Sequence, residues 1–481
     1  MPDQITAKCR IKSQPNAGSN HSQMPEKFLI ICCNSRKNSI FAASKKIYEN
    51  MDEYRPRIAD KLLVELLEAC GCVLVEGSKW CGKTTTAEQA AGSIVYMADP
   101  VEGERNRQLA KATPHFLLQG ATPRLIDEWQ VVPTLWDAIR GEVDHRRALG
   151  QFIITGSAVP ADRKDIVHTG TGRITTLLMR PMSLWESGDS TGEVSLETLF
   201  EVPEQLMAEN KIDIDELAYL VCRGGWPMAT MTSNRKAALK QATIYYNGII
   251  GTGDGTDSDI SRADNVRRNP ERVKRLMRSL SRHQGTQASL GTIYDDMIAN
   301  DDSTLNEETI SSYISALKKI FTIEDMPAWN PALRSKTAVR TSDTRYFVDP
   351  SIAVAALRIS PKDLINDLET FGLLFECMAI RDLRVFTDAL DGTVYHYRDN
   401  NNLECDAVIH LENGKYGLVE IKLGGDDNIE AAASTLKTLS GKIDTSRMPN
   451  PSFLMVLVGV GKYAYRREDG VYVVPIGCLK P

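Results

Sequence analysis

The chain lacks any apolar run near the ~20 residues that crossing a bilayer requires. Its longest early run, Phe28-Leu29-Ile30-Ile31-Cys32-Cys33, is too short and too far from the start for the apolar region of a signal peptide. No membrane partner is expected. The ten cysteines form no Cys-x-x-Cys pair and no Cys/His cluster with zinc spacing, which argues for reduced thiols in a cytoplasmic protein. An excess of positive charge is missing too: Lys and Arg number 57 against 63 Asp and Glu, a formal net charge of −6. The chain is no polycation, so any nucleic-acid contact must come from a local patch. Internal repeats are absent, and the one biased tract is the Gly/Asp-rich Gly251–Asp259, which reads as a loop.

With 481 residues the chain is too long for a single core and suggests about three domains on the usual ~150-residue scale. Residues 1–50 are polar, Ser- and Asn-rich and without periodicity; they read as a disordered or mis-assigned N-terminal extension, with translation starting at Met51 or Met24. From 58 to about 180, helices alternate with short apolar runs at Cys72–Glu76, Ile94–Met97, Arg124–Asp127, Phe152–Thr155 and Ile174–Met179. That alternation predicts an α/β fold with a parallel sheet covered by helices. Residues 181 to about 250 read as helical. Residues ~270–348 carry three helical patterns and then strand-like sequence, which suggests a winged helix. Beyond ~365 one long helix precedes strands at 393–398, 403–411, 415–422 and 453–459, with a helix near 427–441: a separate α/β unit.

The segment Gly77-Ser78-Lys79-Trp80-Cys81-Gly82-Lys83-Thr84 matches G-x-x-x-x-G-K-[ST] in full, between an apolar strand and a helix-forming run. Glycines let backbone N–H groups close on phosphates, and the new helix points its positive end at the same anion. Lys83 would neutralise β- and γ-phosphate charge and Thr84 would offer a hydroxyl to Mg²⁺. With Thr85 in the next turn, the loop is the expected ATP cradle. Leu125-Ile126-Asp127-Glu128 ends a following strand, where open α/β sheets place ligands. Asp127 is the expected Mg²⁺-side carboxylate and Glu128 the expected water-activating base. Ser157, with Thr155 as the weaker candidate, could sit between the carboxylates and the γ-phosphate; an ordinary strand-ending turn is the alternative. Arg173, after the Gly-rich Thr169-Gly170-Thr171-Gly172, could serve a neighbouring subunit of a homo-oligomer as an arginine finger, or be a plain surface arginine.

With these residues placed, the chain resembles a group of prokaryotic AAA+-type ATPases fused to a C-terminal domain of uncharacterised function that is itself similar to PD-(D/E)-x-K nucleases. Matching pieces are Tyr54-Arg55-Pro56-Arg57, the P-loop, Leu125 to Gln130, Thr155-Gly156-Ser157, Gly224-Gly225-Trp226-Pro227, Asp259-Ile260-Ser261-Arg262, Tyr346 to Pro350, Phe371 to Glu376, Tyr397-Arg398-Asp399 and Glu420-Ile421-Lys422. The resemblance covers roughly 51–475. It implies ATP and Mg²⁺, an AAA+-type core at 51–180, a helical lid at 181–260, a winged-helix linker at 261–350 and a restriction-endonuclease-like α/β domain at 351–481. It also favours Ser157 as a sensor and Arg173 as a finger. The stretch 251–258 departs from the pattern, where a more apolar segment is expected.

In PD-(D/E)-x-K enzymes an Asp and a Glu on adjacent strands bind Mg²⁺ and a Lys two residues past the Glu positions water. The candidates are Asp406, Glu420 and Lys422, with Glu376 on the preceding helix as a further ligand. Spacing by two puts Glu420 and Lys422 on one strand face. A two-residue turn at Asn413-Gly414 would send Glu420 away from Asp406. A three-residue turn, Glu412-Asn413-Gly414, would pair them, and Gly414 suits its left-handed last position. A nuclease, a nucleic-acid binder without catalysis, and a packing module all stay open.

Between Ser261 and His283 stand eight Lys/Arg against Asp264 and Glu271. DNA contact through 261–283 and the winged helix is one use; a solvated helix face is the other. The third helix of that unit would present Ser311, Ser312, Ser315, Lys318 and Lys319. The leading expectation is an ATP-hydrolysing protein whose cycle moves the C-terminal modules on DNA. The alternatives are an ATP-gated metal-dependent nuclease, an ATP-dependent DNA-binding regulator without cleavage, and a scaffold that binds ATP and rarely turns it over.

Overall fold

Cys72-Val73-Leu74-Val75 is apolar on both faces, which suits a strand covered by helices on either side. In the computed structural model, which describes residues 54–158, 169–202, 206–251, 258–298, 306–333 and 339–481, this is the buried strand β1 (Cys72–Glu76). It belongs to an all-parallel sheet with β2 (Ser93–Tyr96), β3 (Arg124–Asp127), β4 (Phe152–Gly156) and β5 (Ile174–Leu178), in the order β2-β3-β4-β1-β5. Its faces carry separate cores. Leu63, Leu67, Val73, Val75, Leu125 and Ile153 pack on one side. Leu74, Ile126, Ile139, Phe152 and Ile154 pack on the other. Because β4 lies between β1 and β3, the P-loop, Asp127 and Thr155 all emerge at the same carboxyl edge. The expected extension at 1–50 and most of the Gly251–Asp259 loop lie outside the described residues.

The expectation of a helical 181–250 needs correction. Helices Ile214–Arg223, Pro227–Met231 and Arg235–Ile250 are present, but β6 (Val194–Ser195) and β7 (Met207–Glu209) precede them. Strands of two and three residues are too short to show a period. β7 nevertheless completes the edge of the C-terminal sheet.

Helices Pro270–Arg282, Leu290–Ile298 and Glu307–Lys319 follow, then an antiparallel pair, β8 (Ile323–Met326) and β9 (Thr344–Phe347). The C-terminal sheet is built from β10 (Gly392–Arg398), β11 (Glu404–Leu411), β12 (Tyr416–Lys422), β13 (Phe453–Val458), β14 (Tyr463–Arg466) and β15 (Tyr472–Pro475), ordered β10-β11-β12-β13-β15-β14-β7. The helix Leu368–Asp388 buries Phe371, Leu374 and Met378 with Ala407, Ile409, Val419 and Ile421. The opposite face, with Val408, Leu418 and Val456, is covered by Ile429, Leu436 and Leu439 of the helix Asp426–Lys442. A last strand, β16 (Leu479–Lys480), returns to pair with β6.

One hydrophobic cluster runs from Leu184 through the linker helices to Leu479, so linker and C-terminal sheet share a core that the first sheet does not. Two of the motifs quoted above hold that core. Asp349 accepts from the Gly225 amide at 2.8 Å and from Arg381 Nη1 at 2.8 Å, and Trp226 Nε1 donates to Ser351 Oγ at 2.9 Å. A Cβ at Gly225 would meet the Met182 carbonyl oxygen at 2.1 Å, so only glycine fits there.

Candidate functional site

The P-loop turns because its glycines allow it. Gly77 has φ +148° and Gly82 φ +103°, and a Cβ on Gly77 would sit 2.0 Å from the Met179 carbonyl oxygen. Gly82 caps the helix Lys83–Ala90, which begins inside the motif. Lys83 is buried and its Nζ donates to the Ser78 carbonyl at 2.8 Å, so its ammonium is held against the loop. Thr84 Oγ1 donates to Asp127 Oδ1 at 2.6 Å. A hydroxyl and a carboxylate thus adjoin at the start of a helix, the donor set that Mg²⁺ on a nucleotide uses. Thr85 follows in the first turn of the same helix.

Asp127 and Glu128 are organised by hydroxyl groups on β4 and just beyond it. Thr155 Oγ1 donates to Asp127 Oδ1 at 2.8 Å and accepts from the Glu128 amide at 3.0 Å. Ser157 Oγ donates to Glu128 Oε2 at 3.0 Å, and Gln130 Nε2 donates to the same oxygen. Glu128 adopts φ +57°, a left-handed conformation costing a non-glycine residue about 1–2 kcal/mol. That turn sets its side chain apart from Asp127. Thr155, ranked below Ser157 from sequence, is therefore the residue that contacts both carboxylate-bearing positions.

Arg173 lies elsewhere. It precedes Ile174, the register partner of Cys72 at the start of β1, so it stands at the far edge of the sheet from Gly77, roughly 16 Å along the strand. There its Nε donates to Asp144 Oδ1 at 2.8 Å. It is out of reach of its own P-loop.

Around the loop, Arg57 and Arg180 carried no role in the sequence reading, while Lys79 and Trp80 were expected only as positions of the cradle. Arg57 is buried; it donates to the Cys81 carbonyl at 2.8 Å, to the Arg180 carbonyl at 2.9 Å and to Glu186 Oε1 at 2.9 Å. Its place in Tyr54-Arg55-Pro56-Arg57 was the only signal. Lys79 Nζ lies 2.5 Å from Asp259 Oδ1, which joins the P-loop to the short helix Asp259–Arg262. Trp80 packs on Tyr245 with ring centroids 5.8 Å apart. Arg180 in turn bonds Glu324 of β8 at 2.7 Å and Asp388 of the long C-terminal helix at 2.6 Å. Burial works against the Glu324 carboxylate, but Arg180 and Arg384 hold it down at about 2.

In the C-terminal sheet, Ala407 faces Val419 and His410 faces Tyr416, with Gly414 at φ +84°. The connection is the three-residue Glu412-Asn413-Gly414 turn, and the register brings Asp406 level with Glu420. Lys422 Nζ lies 2.9 Å from Asp406 Oδ2 and 2.8 Å from Glu420 Oε2. Glu420 Oε1 is buried with no hydrogen-bond partner. Burial and the Asp406 charge push the Glu420 carboxyl up to about 8, and the same two causes push Glu376 up to about 8. Although burial opposes it, Asp406 and Glu420 hold the Lys422 ammonium above its ordinary range. Glu376 Oε1 accepts from the Tyr346 hydroxyl at 2.7 Å. Among the described residues no group of three or more His, Cys, Asp or Glu is disposed to hold a metal ion. An ammonium, not a third carboxylate, closes the Asp406–Glu420 pair.

The basic stretch is divided by the fold. Arg262 lines a small cavity with Lys79, Ser157 and Asp259 beside the P-loop. Arg268 is buried on Asp264, Lys274 pairs with Glu271 at 2.7 Å and Arg282 with Asp296 at 2.6 Å. On the helix Glu307–Lys319, Ser311, Ser312 and Ser315 are exposed. Its two lysines have acidic partners, Lys318 on Asp325 and Lys319 on Asp264.

Residues 71–187 match the AAA domain. This segment is similar to AAA-type P-loop domains, and the P-loop described above lies within it. Residues 214–363 match a domain of unknown function, DUF8612, and residues 371–479 another, DUF4143. No curated protein matches the chain. Among solved structures, the Walker-type ATPase paby2304 of Pyrococcus abyssi aligns at 16% identity over 64% of this chain and 100% of its own, with a TM-score of 0.38. The Aeropyrum pernix ORC1 protein in complex with DNA aligns at 15% identity over 66% of this chain and 95% of its own, with a TM-score of 0.23. Both scores are too low to support a conclusion about this chain. No helix among the described residues is long and apolar enough to cross a membrane.

Proposed function

We propose that the AAA-type domain hydrolyses ATP and that its cycle acts, through the linker helices, on a C-terminal module that works on nucleic acid. One observation carries the first half: a single hydroxyl, Thr155 Oγ1, ties Asp127 to the Glu128 backbone at the edge where the P-loop opens. Loop amides and Lys83 would hold the β- and γ-phosphates, while Thr84 and Asp127 would hold the cation. Bound Mg²⁺ supplies charge neutralisation on the phosphate oxygens. Glu128, steadied by Ser157 and Gln130, orients the attacking water and takes its proton. Arg173, at the far edge of the sheet, serves the nucleotide of a neighbouring copy in a homo-oligomer. Transmission runs from the Cys81 carbonyl through Arg57 and Arg180 to Glu324 and Asp388, which lie on the linker hairpin and the long C-terminal helix. Lys83→Ala should abolish nucleotide binding in calorimetry. Glu128→Gln should keep binding and stop turnover, and undiminished turnover would remove Glu128 from this role.

The linker reads as a winged helix and the C-terminal module as restriction-endonuclease-like. Convergence of Asp406, Glu420 and Lys422, with an unpartnered Glu420 oxygen, favours an ATP-gated nuclease as the second reading. A metal would have to displace Lys422 from the carboxylates, so cutting at this cluster requires that ion pair to open first. Mg²⁺-dependent cutting of DNA that survives Lys422→Ala would eliminate that site. Nucleic-acid binding without cutting would leave an ATP-dependent DNA-binding regulator.

A further inference from the structure

A polar cleft of about 580 Å³ opens where the linker meets the C-terminal sheet. One wall is the end of the helix Pro270–Arg282 and the following turn, with His283, Thr286 and Gln287; the other carries Arg340, Ser342 and Arg398. Among the described residues no carboxylate and no Phe, Tyr or Trp lines it, in a chain whose formal net charge is −6. The walls are stitched together: Gln287 Nε2 donates to the Ser342 carbonyl at 2.8 Å and the Arg340 amide to the Arg398 carbonyl at 2.8 Å. Arg340 Nη2 is steadied by Asn402 Oδ1 at 3.1 Å. Arg398 Nη1 lies 3.3 Å from Glu404 Oε2, while its Nε is buried without a hydrogen-bond partner.

Gln287 and Arg398 also line a recess of about 40 Å³. Cations and hydroxyls thus border the cleft, and beside it lies this recess, lined also by Tyr346, Tyr397 and the carboxylates of Glu376, Glu404 and Asp406. Two arginines and a histidine suit successive phosphates. Contacts to phosphates alone carry no sequence information, so binding through the cleft would be indifferent to base sequence. A cleft of about 580 Å³ has room for a short stretch of one strand and not for a duplex, whose major groove alone is about 12 Å wide.

We propose that a single strand of nucleic acid lies in this cleft, with its phosphates on Arg340 and Arg398, beside the recess that holds Asp406 and Glu376. The inference rests on the reading of the C-terminal module as one that works on nucleic acid, and it names the strand type and the residues that grip it. Neither the basic stretch 261–283 nor the third linker helix forms this surface; His283 alone is shared.

The test uses the full chain with a fluorescein-labelled oligothymidylate and a duplex of equal length, followed by anisotropy at low and moderate salt. The single strand should bind more tightly than the duplex. Arg340→Glu should weaken it at least tenfold and flatten the log K against log salt slope by about 0.7, the share of one single-strand phosphate. Arg340→Lys should retain most of the affinity. Thr292→Glu, which adds a carboxylate to the same cleft, should weaken binding without touching either arginine. Thermal unfolding of each variant separates loss of contact from loss of fold. Unchanged binding by Arg340→Glu and Thr292→Glu, with loss on Arg275→Glu and Arg278→Glu, would overturn the cleft and keep the nucleic-acid reading. Preference for duplex would overturn the strand assignment. No retention of either probe at low salt would overturn both.

Discussion

Asp127 and Glu128 are met by hydroxyls and an amide; Asp406 and Glu420 share an ammonium, with the Ile421 amide added on Asp406. The residue types match, yet the two sites are opposites. At the nucleotide site, neutral donors orient the carboxylates and leave their charge for a cation to use. At the C-terminal cluster, Lys422 sits between Asp406 and Glu420, and burial with the Asp406 charge pushes Glu420 and Glu376 up to about 8. Local geometry makes the difference. Adjacent Asp127 and Glu128 diverge at a left-handed strand end, where side chains from the next strand reach them. Glu420 and Lys422 alternate on one strand face, so the lysine can fold onto the acid two residues before it.

Severing the buried link between these regions should give the largest effect. Arg180→Met strands Glu324 and Asp388 without their shared guanidinium, at a cost of about 3–5 kcal/mol in urea unfolding at pH 7. The Glu324 share of the pH dependence has a definite sign, while Asp388, which burial pushes up although Arg180 opposes it, contributes with the opposite one. Glu324 is held at about 2 in the folded chain, below the ordinary glutamate value near 4.3. Its contribution is therefore complete above that ordinary value and is lost as pH falls toward 2. The variant should lose it at higher pH than the parent; identical acid transitions would separate the network from stability.

Next comes Thr155→Val, which keeps volume and deletes the hydroxyl shared by Asp127 and Glu128. ATP turnover should fall about 10²–10³-fold, the usual cost of losing one organising donor, while calorimetric nucleotide affinity changes much less. Equal losses in both would mean that Thr155 shapes the binding loop and not the carboxylates.

The uneven legibility of these sites has a physical basis. The P-loop is read directly because its chemistry uses consecutive residues: Gly77, Gly82, Lys83 and Thr84 stand where the motif needs them. The parallel sheet was legible because β1 and β4 are buried on both faces, so their sequence is apolar without alternation. Asp406 and Glu420 were legible only conditionally. Their pairing depended on one turn, and Gly414 tipped it. What escaped was long-range or too short. Arg57 and Arg180 act through partners more than a hundred residues away, and β7 is three residues long. The helix Glu307–Lys319 was a candidate recognition surface as the third helix of the expected winged helix; the pairing of its two lysines with Asp325 and Asp264 cannot be seen in a helical pattern.

A smaller effect should come from Glu420→Gln. With Glu376 and Glu420 at about 8 in the folded chain, the stability they contribute is fully present below the ordinary glutamate value and is lost as pH rises through about 8. The parent's urea midpoint should therefore drop between pH 6 and 8.5. Glu420→Gln removes a buried charge with an unpartnered oxygen, so it should flatten that drop and gain about 1–3 kcal/mol at pH 8.5. A parent whose midpoint is constant over that range would show that Lys422 fully compensates both acids, and the contrast between the two sites would narrow.

The smallest effect is expected at the seam beside the P-loop. Lys79 and Asp259 form an ion pair that is 43% and 19% exposed, so Asp259→Asn should change stability by no more than about 1 kcal/mol. Its effect on the nucleotide should be opposite in sign. Removing a carboxylate from beside the phosphate loop frees the Lys79 ammonium and withdraws a like charge from the incoming anion, so Mg-nucleotide affinity should rise about two- to fivefold at low salt. The gain should vanish at high ionic strength, since partly exposed charges are screened. A fall in affinity would instead mean that Asp259 holds the loop in its binding shape through Lys79. The helix Asp259–Arg262 would then belong to the cradle itself, and the nucleotide site, like the C-terminal cluster, would depend on an ammonium bridge.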